Sequence, residues 1–320
     1  MKQKQDTFTL GVYTLTVLLF LVIVGVFSIY QFRKNQPDPE LWPPVITVHQ
    51  SSIPPLWMRD NIFIDPDEHQ MITANGKLIF IGNEDATRPS CLIALDTISG
   101  TAEWNKYCGP SKINLATSSS SVFVGEVGYV IAVNADTGER IWSTYLPFTR
   151  SVTKTLVINK TLYVDTVSKN LFLLDTETGN ILNTISYEFD DVPIWSDKKM
   201  DLEIVGNDMY FDKLPRLPGG EGKVSSIDKL SGTERWSVNV SMSSRANASS
   251  LGIFLLASDG WLLQLDPITG AKKQVVQFAP APLKWSATRQ YGYHVAVDAE
   301  NRLLIVYLGD SAQLFAFRLP

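Results

Sequence analysis

Five stretches of this 320-residue chain repeat one another in register, and that repetition limits the fold more than any other feature. They are LIALDTISGTAEW, ending at Trp104; VIAVNADTGERIW, ending at Trp142; LFLLDTETGNILN, ending at Asn183; VSSIDKLSGTERW, ending at Trp236; and LLQLDPITGAKKQ, ending at Gln274. Each opens with an alternating apolar run, reaches an Asp or Asn, turns through Thr-Gly or Ser-Gly, and returns as a second strand. The turn glycines are Gly100, Gly138, Gly179, Gly232 and Gly270, and glycine suits them because a tight hairpin requires positive φ. They stand 38, 41, 53 and 38 residues apart. Intervals of that size belong to four-stranded propeller blades.

Further strand-like runs complete the units: KLIFIG before the first hairpin, SVFVGE before the second, TLYVDT before the third and IFLLAS before the fifth. A sixth unit supplies three strands in HVAVDAENRLLIVYLGD and AQLFAFRLP. Its fourth strand is expected from the other end of the chain, in PPLWMRDNIFI around Trp57, which would remove the exposed edges that invite aggregation. The expectation is therefore an all-β propeller over 55–320, with six blades and seven as the alternative.

Residues 10–30 form a run of twenty-one without a formal charge, long enough at about 1.5 Å per helical residue to cross a hydrocarbon layer of roughly 30 Å. The reading is a transmembrane signal-anchor helix after a short cytoplasmic N-terminus, 1–9; a buried core helix and a cleaved signal peptide are the alternatives. Lys2 and Lys4 on one side balance Arg33 and Lys34 on the other, so the charge rule leaves orientation open. Residues 31–54, with Pro37, Pro39, Pro43, Pro44 and Pro54, read as a stiff stalk.

The two cysteines, Cys91 and Cys108, fall in the first repeated hairpin. A two-residue turn there would set Leu95 opposite Trp104 and Cys91 opposite Cys108, close enough for a disulfide that persists in an oxidising compartment. Two buried thiols, or a register displaced by a bulge, are the alternatives.

The repeat, apolar-Leu-Asp-x-x-Thr-Gly-x-x-x-Trp, resembles the pyrroloquinoline-quinone-like (PQQ-like) repeat of quinoprotein dehydrogenases and of the outer-membrane assembly lipoprotein. The likeness runs from about Ile72 to Pro320. It implies a PQQ-like β-propeller in which Trp104, Trp142 and Trp236 pack between neighbouring blades. Asn183 and Gln274 depart from the pattern, so those two seams must pack differently. The quinone enzymes also use adjacent cysteines and eight blades, which this chain lacks, so the likeness carries no cofactor and no catalysis.

Other chemistry finds little support in the residues. A net charge of -5 without a basic block offers no footprint for nucleic acid. His49, His69 and His294 are scattered rather than spaced as zinc ligands. Pro215–Lys223 lacks the first glycine and the final Ser or Thr of a phosphate loop, and Asp190, Asp191, Asp197 and Asp201 lack calcium-loop spacing. Sequons at Asn159, Asn239 and Asn247 suit exposed turns. The functional expectation is a single-pass, membrane-anchored, extracytoplasmic scaffold for a protein partner, in the periplasm or at the cell surface. A degenerate quinoprotein oxidoreductase and an extracellular ligand sensor are the alternatives.

Overall fold

The computed structural model describes residues 54–64, 71–84, 89–109, 114–149, 151–186, 200–206, 208–213, 221–277, 292–309 and 311–319. The expected N-terminus, anchor helix and all but the last residue of the stalk lie outside the described residues. So do His49, His69, Asp190, Asp191, Asp197 and most of Pro215–Lys223. Among the described residues no helix is long and apolar enough to cross a membrane.

In chain order, β1 (Trp57–Arg59) and β2 (Phe63–Ile64) precede blade 1, made of β3 (Met71–Ala74), β4 (Lys77–Asn83), β5 (Cys91–Asp96) and β6 (Ala102–Lys106). Blade 2 is β7 (Asn114–Thr117), β8 (Ser121–Gly125), β9 (Tyr129–Asn134) and β10 (Arg140–Tyr145). Blade 3 is β11 (Val152–Ile158), β12 (Thr161–Thr166), β13 (Asn170–Asp175) and β14 (Ile181–Ser186). Blade 4 is β15 (Met200–Val205), β16 (Asp208–Lys213), β17 (Glu221–Asp228) and β18 (Glu234–Ser241). Blade 5 is β19 (Asn247–Ser249), β20 (Gly252–Leu256), β21 (Trp261–Leu265) and β22 (Lys272–Gln277). Blade 6 takes β23 (Tyr293–Asp298), β24 (Leu303–Leu308) and β25 (Gln313–Arg318), and its outer strand is β1.

That makes six blades rather than seven, closed by the N-terminal segment as the sequence predicts. Trp57, Met58 and Arg59 pair with Ala316, Phe315 and Leu314. The segment around Trp57 then divides: β2 leaves blade 6 and adds to blade 1, where Phe63 and Ile64 pair with Asn83 and Gly82. First strands of neighbouring blades approach one another, β3 meeting β7 and β23 and β19 meeting β15 and β23, so these strands line the axis. Antiparallel order then puts the turns between third and fourth strands on one face of the ring, called here the turn face. The turns between second and third strands lie on the opposite face.

Central strands are apolar on both sides because each blade is sandwiched between two others. All six residues of β24, LLIVYL, are buried. Packing between sheets makes the core a series of seams. Among the described residues five apolar clusters fill five of them: Phe254 with Phe315 between blades 5 and 6, Phe80 with Ile305 between 6 and 1, Ile81 with Val124 between 1 and 2, Phe123 with Phe172 between 2 and 3, and Tyr210 with Ile253 between 4 and 5. None of the five spans blades 3 and 4.

The hairpin carrying the cysteines differs from its expected register by one residue. Trp104 pairs with Ala94 and Ala102 with Leu95, leaving Glu103 as an extra residue. The reason is the turn, which is longer than two residues: Gly100 N–H donates to Asp96 O and Asp96 N–H donates to Thr101 O. Ile141, Leu182 and Arg235 are the matching extra residues in blades 2, 3 and 4. Cys91 and Cys108 are nevertheless disulfide-bonded. Tyr107, left-handed at φ 54°, turns the chain past the end of β6 and brings Cys108 back, and Gly109 N–H then donates to Ser90 O.

Candidate functional site

The repeated turn is built the same way five times. One oxygen of Asp96 accepts from the Ile98 and Ser99 N–H groups and from the Ser99 hydroxyl. Asn134, Asp175, Asp228 and Asp266 do likewise for the residues two and three positions on. This is the habit of Asx side chains, which cap a turn made by their own backbone. The five turn glycines then sit at φ between 65° and 72°.

These hydrogen bonds act on the titration of the carboxylates. The Thr178 hydroxyl and N–H hold Asp175 below the usual carboxylate range, and the Thr269 N–H and hydroxyl do so for Asp266. Asp228 is depressed most, first by the guanidinium of Arg235 and then by Ser231. For Asp96 partial burial pulls upward, but Ser99 and Lys77 outweigh it and the net shift is downward.

Four of the five turns seat a tryptophan from the preceding blade. Trp57 Nε1 donates to Thr97 O at 2.8 Å, Trp104 to Ala135 O at 3.0 Å, Trp142 to Thr176 O at 3.1 Å and Trp236 to Pro267 O at 2.9 Å. In every case the acceptor is the carbonyl just after the capping Asp or Asn. Carbons of the indole's six-membered ring pack against the turn glycine. A Cβ on Gly100, Gly138, Gly179 or Gly270 would meet ring carbons at 2.6 to 2.8 Å, so glycine is required for this approach as well as for its φ. Three seats have a second clasp, two residues after the Trp: Arg59 Nη1 to Gly100 O, Lys106 Nζ to Thr137 O and Thr144 Oγ1 to Gly179 O.

Trp104, Trp142 and Trp236 thus lie in seams, where the repeat places them. Trp57 joins them as a fourth, seated on blade 1 from the closing strand. The Trp-x-basic or Trp-x-Thr spacing was the signal in the sequence for the second clasp, and motif alignment alone did not expose it. At Gly232 no described residue fills the seat. No described atom lies within 4 Å of a Cβ built there, and the glycine is exposed, whereas the other four turn glycines are buried. The preceding blade offers Asn183 in the tryptophan position.

The opposite face carries an exposed aromatic group on blade 2. Tyr129 and Tyr145 oppose each other across β9 and β10 with ring centroids 5.2 Å apart. Phe148, in the connection to blade 3, is 90% exposed, and Val127 and Val167 are exposed on the same side. Blades 4 and 5 are joined by charge. Asp212, almost fully buried, accepts from Arg245 Nη1 at 3.0 Å and from Ala246 N–H at 2.7 Å. Glu203 accepts from Asn247 Nδ2 and Ala248 N–H, and Asn247 Oδ1 accepts from Val297 N–H of blade 6. Asn247 is therefore occupied inside the ring, while Asn159 and Asn239 are exposed. His294 stacks on Tyr307 in blade 6.

Comparison with known proteins gives a family model described as outer membrane protein assembly factor BamB, matching residues 62–194. No curated protein matches the chain. Among solved structures, a chain of the mitotic checkpoint complex is 11% identical over 85% of this chain and 97% of its own, with TM-score 0.55. BamB from Moraxella catarrhalis is 13% identical over 83% of this chain and 100% of its own, with TM-score 0.47. The computationally designed Ika8 protein is 13% identical over 78% and 70%, with TM-score 0.39. At such identity a structural likeness speaks for fold alone. With its repeated Asp-capped turns and their seated indoles, the ring is a six-bladed β-propeller whose residues 62–194 are similar to the BamB family.

Proposed function

We propose that the chain is a membrane-anchored, extracytoplasmic scaffold that binds a protein partner as an accessory subunit of an envelope complex. The match of residues 62–194 to a family named as an outer membrane protein assembly factor carries this reading. Three further features support it. The uncharged run 10–30 suits an anchor, the Cys91–Cys108 bond suits an oxidising compartment, and Tyr129, Tyr145 and Phe148 offer an exposed aromatic surface of the kind enriched at interfaces. In this reading the chain is a platform and carries no reaction of its own.

Crosslinking in native membranes, followed by mass spectrometry, tests the proposal. Covalent capture of an envelope protein is expected. Recovery of the chain alone at every crosslinker length would count against it.

A further inference from the structure

Blade 4 presents, unfilled among the described residues, the seat that an indole occupies on blades 1, 2, 3 and 5. Its turn is fully formed: Asp228 caps it, Gly232 N–H donates to Asp228 O, and Gly232 has φ 70° like its counterparts. What is missing is the other half. Asn183 stands where the Trp belongs, and Ile185, two residues on, has no donor to match Arg59, Lys106 or Thr144. Among the described residues, the carbonyls of Lys229 and Gly232 accept no hydrogen bond. Beside the charged groups of the turn, Asp228 paired with Arg235, apolar side chains are exposed: Leu230 at 86%, and Ile181, Leu182 and Ile185 on the edge strand of blade 3. Strand β14, ILNTIS, carries no charge, whereas β6, β10, β18 and β22 each carry at least one. Charged edge residues discourage pairing with another chain, and β14 has none. The seam beneath is also the one that no apolar cluster fills among the described residues.

We propose that the blade 4 turn is a docking seat for a tryptophan delivered by the partner protein, set in a Trp-x-Lys, Trp-x-Arg or Trp-x-Thr segment. The inference deepens the scaffold reading and rests on it. Its warrant is internal: the molecule displays the seated indole four times and the second donor three times. The indole would pack on Gly232 and donate to Lys229 O, and the residue two positions on would donate to the Gly232 carbonyl, as Arg59 and Thr144 do, or to the Ser231 carbonyl, as Lys106 does in its own seat. Packing an indole against a turn glycine while its N–H satisfies one turn carbonyl is the chemistry the four filled seats share.

The probe is a fluorescein-labelled, acetylated hexapeptide copying Ala102–Tyr107, titrated against the full chain in detergent and followed by anisotropy. Saturable binding is expected, at least tenfold tighter than for the same peptide with Ala in place of Trp. Asn183→Trp, which would fill the seat from within, should raise the melting temperature and weaken peptide binding tenfold or more. Gly232→Asn, which tolerates positive φ but puts a side chain in the seat, should weaken binding likewise without the gain in stability. Absence of saturable binding, equal binding of the Ala peptide, or unchanged affinity in both variants overturns the proposal. A tenfold gain on Trp195→Ala also overturns it, by showing that the chain's own residue fills the seat. If Asn183→Trp still captures its partner in membranes, the seat fails as the docking point while the scaffold reading stands.

Discussion

Glycine at the repeated turn meets two demands, and the five copies separate them. Gly138 must be left-handed and must also leave room for the Trp104 ring, whereas at Gly232 no described residue adds the second demand. Gly232→Ala should therefore cost about 1 kcal/mol, the price of a left-handed non-glycine residue. Gly138→Ala should cost at least about 1 to 2 kcal/mol more by overpacking the seat. Chemical denaturation of the two variants checks the difference, and equal losses would show that the seats contribute nothing to the requirement. Trp104→Ala removes a buried indole and should cost about 3 to 5 kcal/mol. The capping carboxylates give the residue scale its pH dependence. Asp96, Asp175, Asp228 and Asp266 are all held below their ordinary value of 3.8, so the folded state favours the anion. Their stabilisation is complete above that value and is lost as pH falls below it toward the depressed folded values. Melting temperatures should be level from pH 7 to about 5 on this account and fall below about 4, and Asp228→Asn should shrink the fall. Blade 2, capped by Asn134, is already indifferent.

At the scale of the element, the hairpin was legible and its register was not. Alternation, the Asp cap and the glycine mark two antiparallel strands in each repeat, and these strands are present. The displacement by one residue comes from a turn closed by backbone bonds from Gly100 to Asp96 and from an extra residue at Glu103, and hydrophobic pattern does not encode either. Cys91 and Cys108 still meet because Tyr107 absorbs the difference in a left-handed conformation. The bond closes a loop of separation 17, for which chain entropy gives about 3 kcal/mol. Reduction without denaturant should lower stability by about that amount. Thiol trapping in intact cells addresses the proposed compartment, and recovery of both cysteines as free thiols would remove it. The two departures from the repeat were legible as anomalies but not in their outcome. Gln274 faces blade 6, where Phe254, Val276, Tyr293 and Phe315 supply a dense apolar seam. Asn183 faces blade 4, where no such cluster compensates among the described residues.

Across the whole molecule the seams are unequal, and opening should follow that inequality. Blades 4 and 5 hold each other through Asp212, Arg245 and Glu203 as well as through apolar packing. Asp212→Ala would leave Arg245 and the Ala246 N–H without this carboxylate, at a cost of about 3 kcal/mol. Among the described residues, blades 3 and 4 have neither an indole nor an apolar cluster between them. Native-state hydrogen exchange should therefore show β14 exchanging faster than β10, the equivalent edge of blade 2, at every pH tested. Slower exchange in β14 would mean that the seam is covered. The ring also depends on its last contact. Strand β1 pairs with β25 over only three residues, yet Trp57 and Arg59 reach across to Thr97, Gly100 and Glu84 of blade 1. A pull on the chain upstream of Pro54 would load this strand lengthwise, so that its hydrogen bonds and the seated indole resist together in shear instead of opening one at a time. The closing strand is thus a mechanical clasp, and a tethered ring would give way there, between its first and sixth blades, before any blade unravelled.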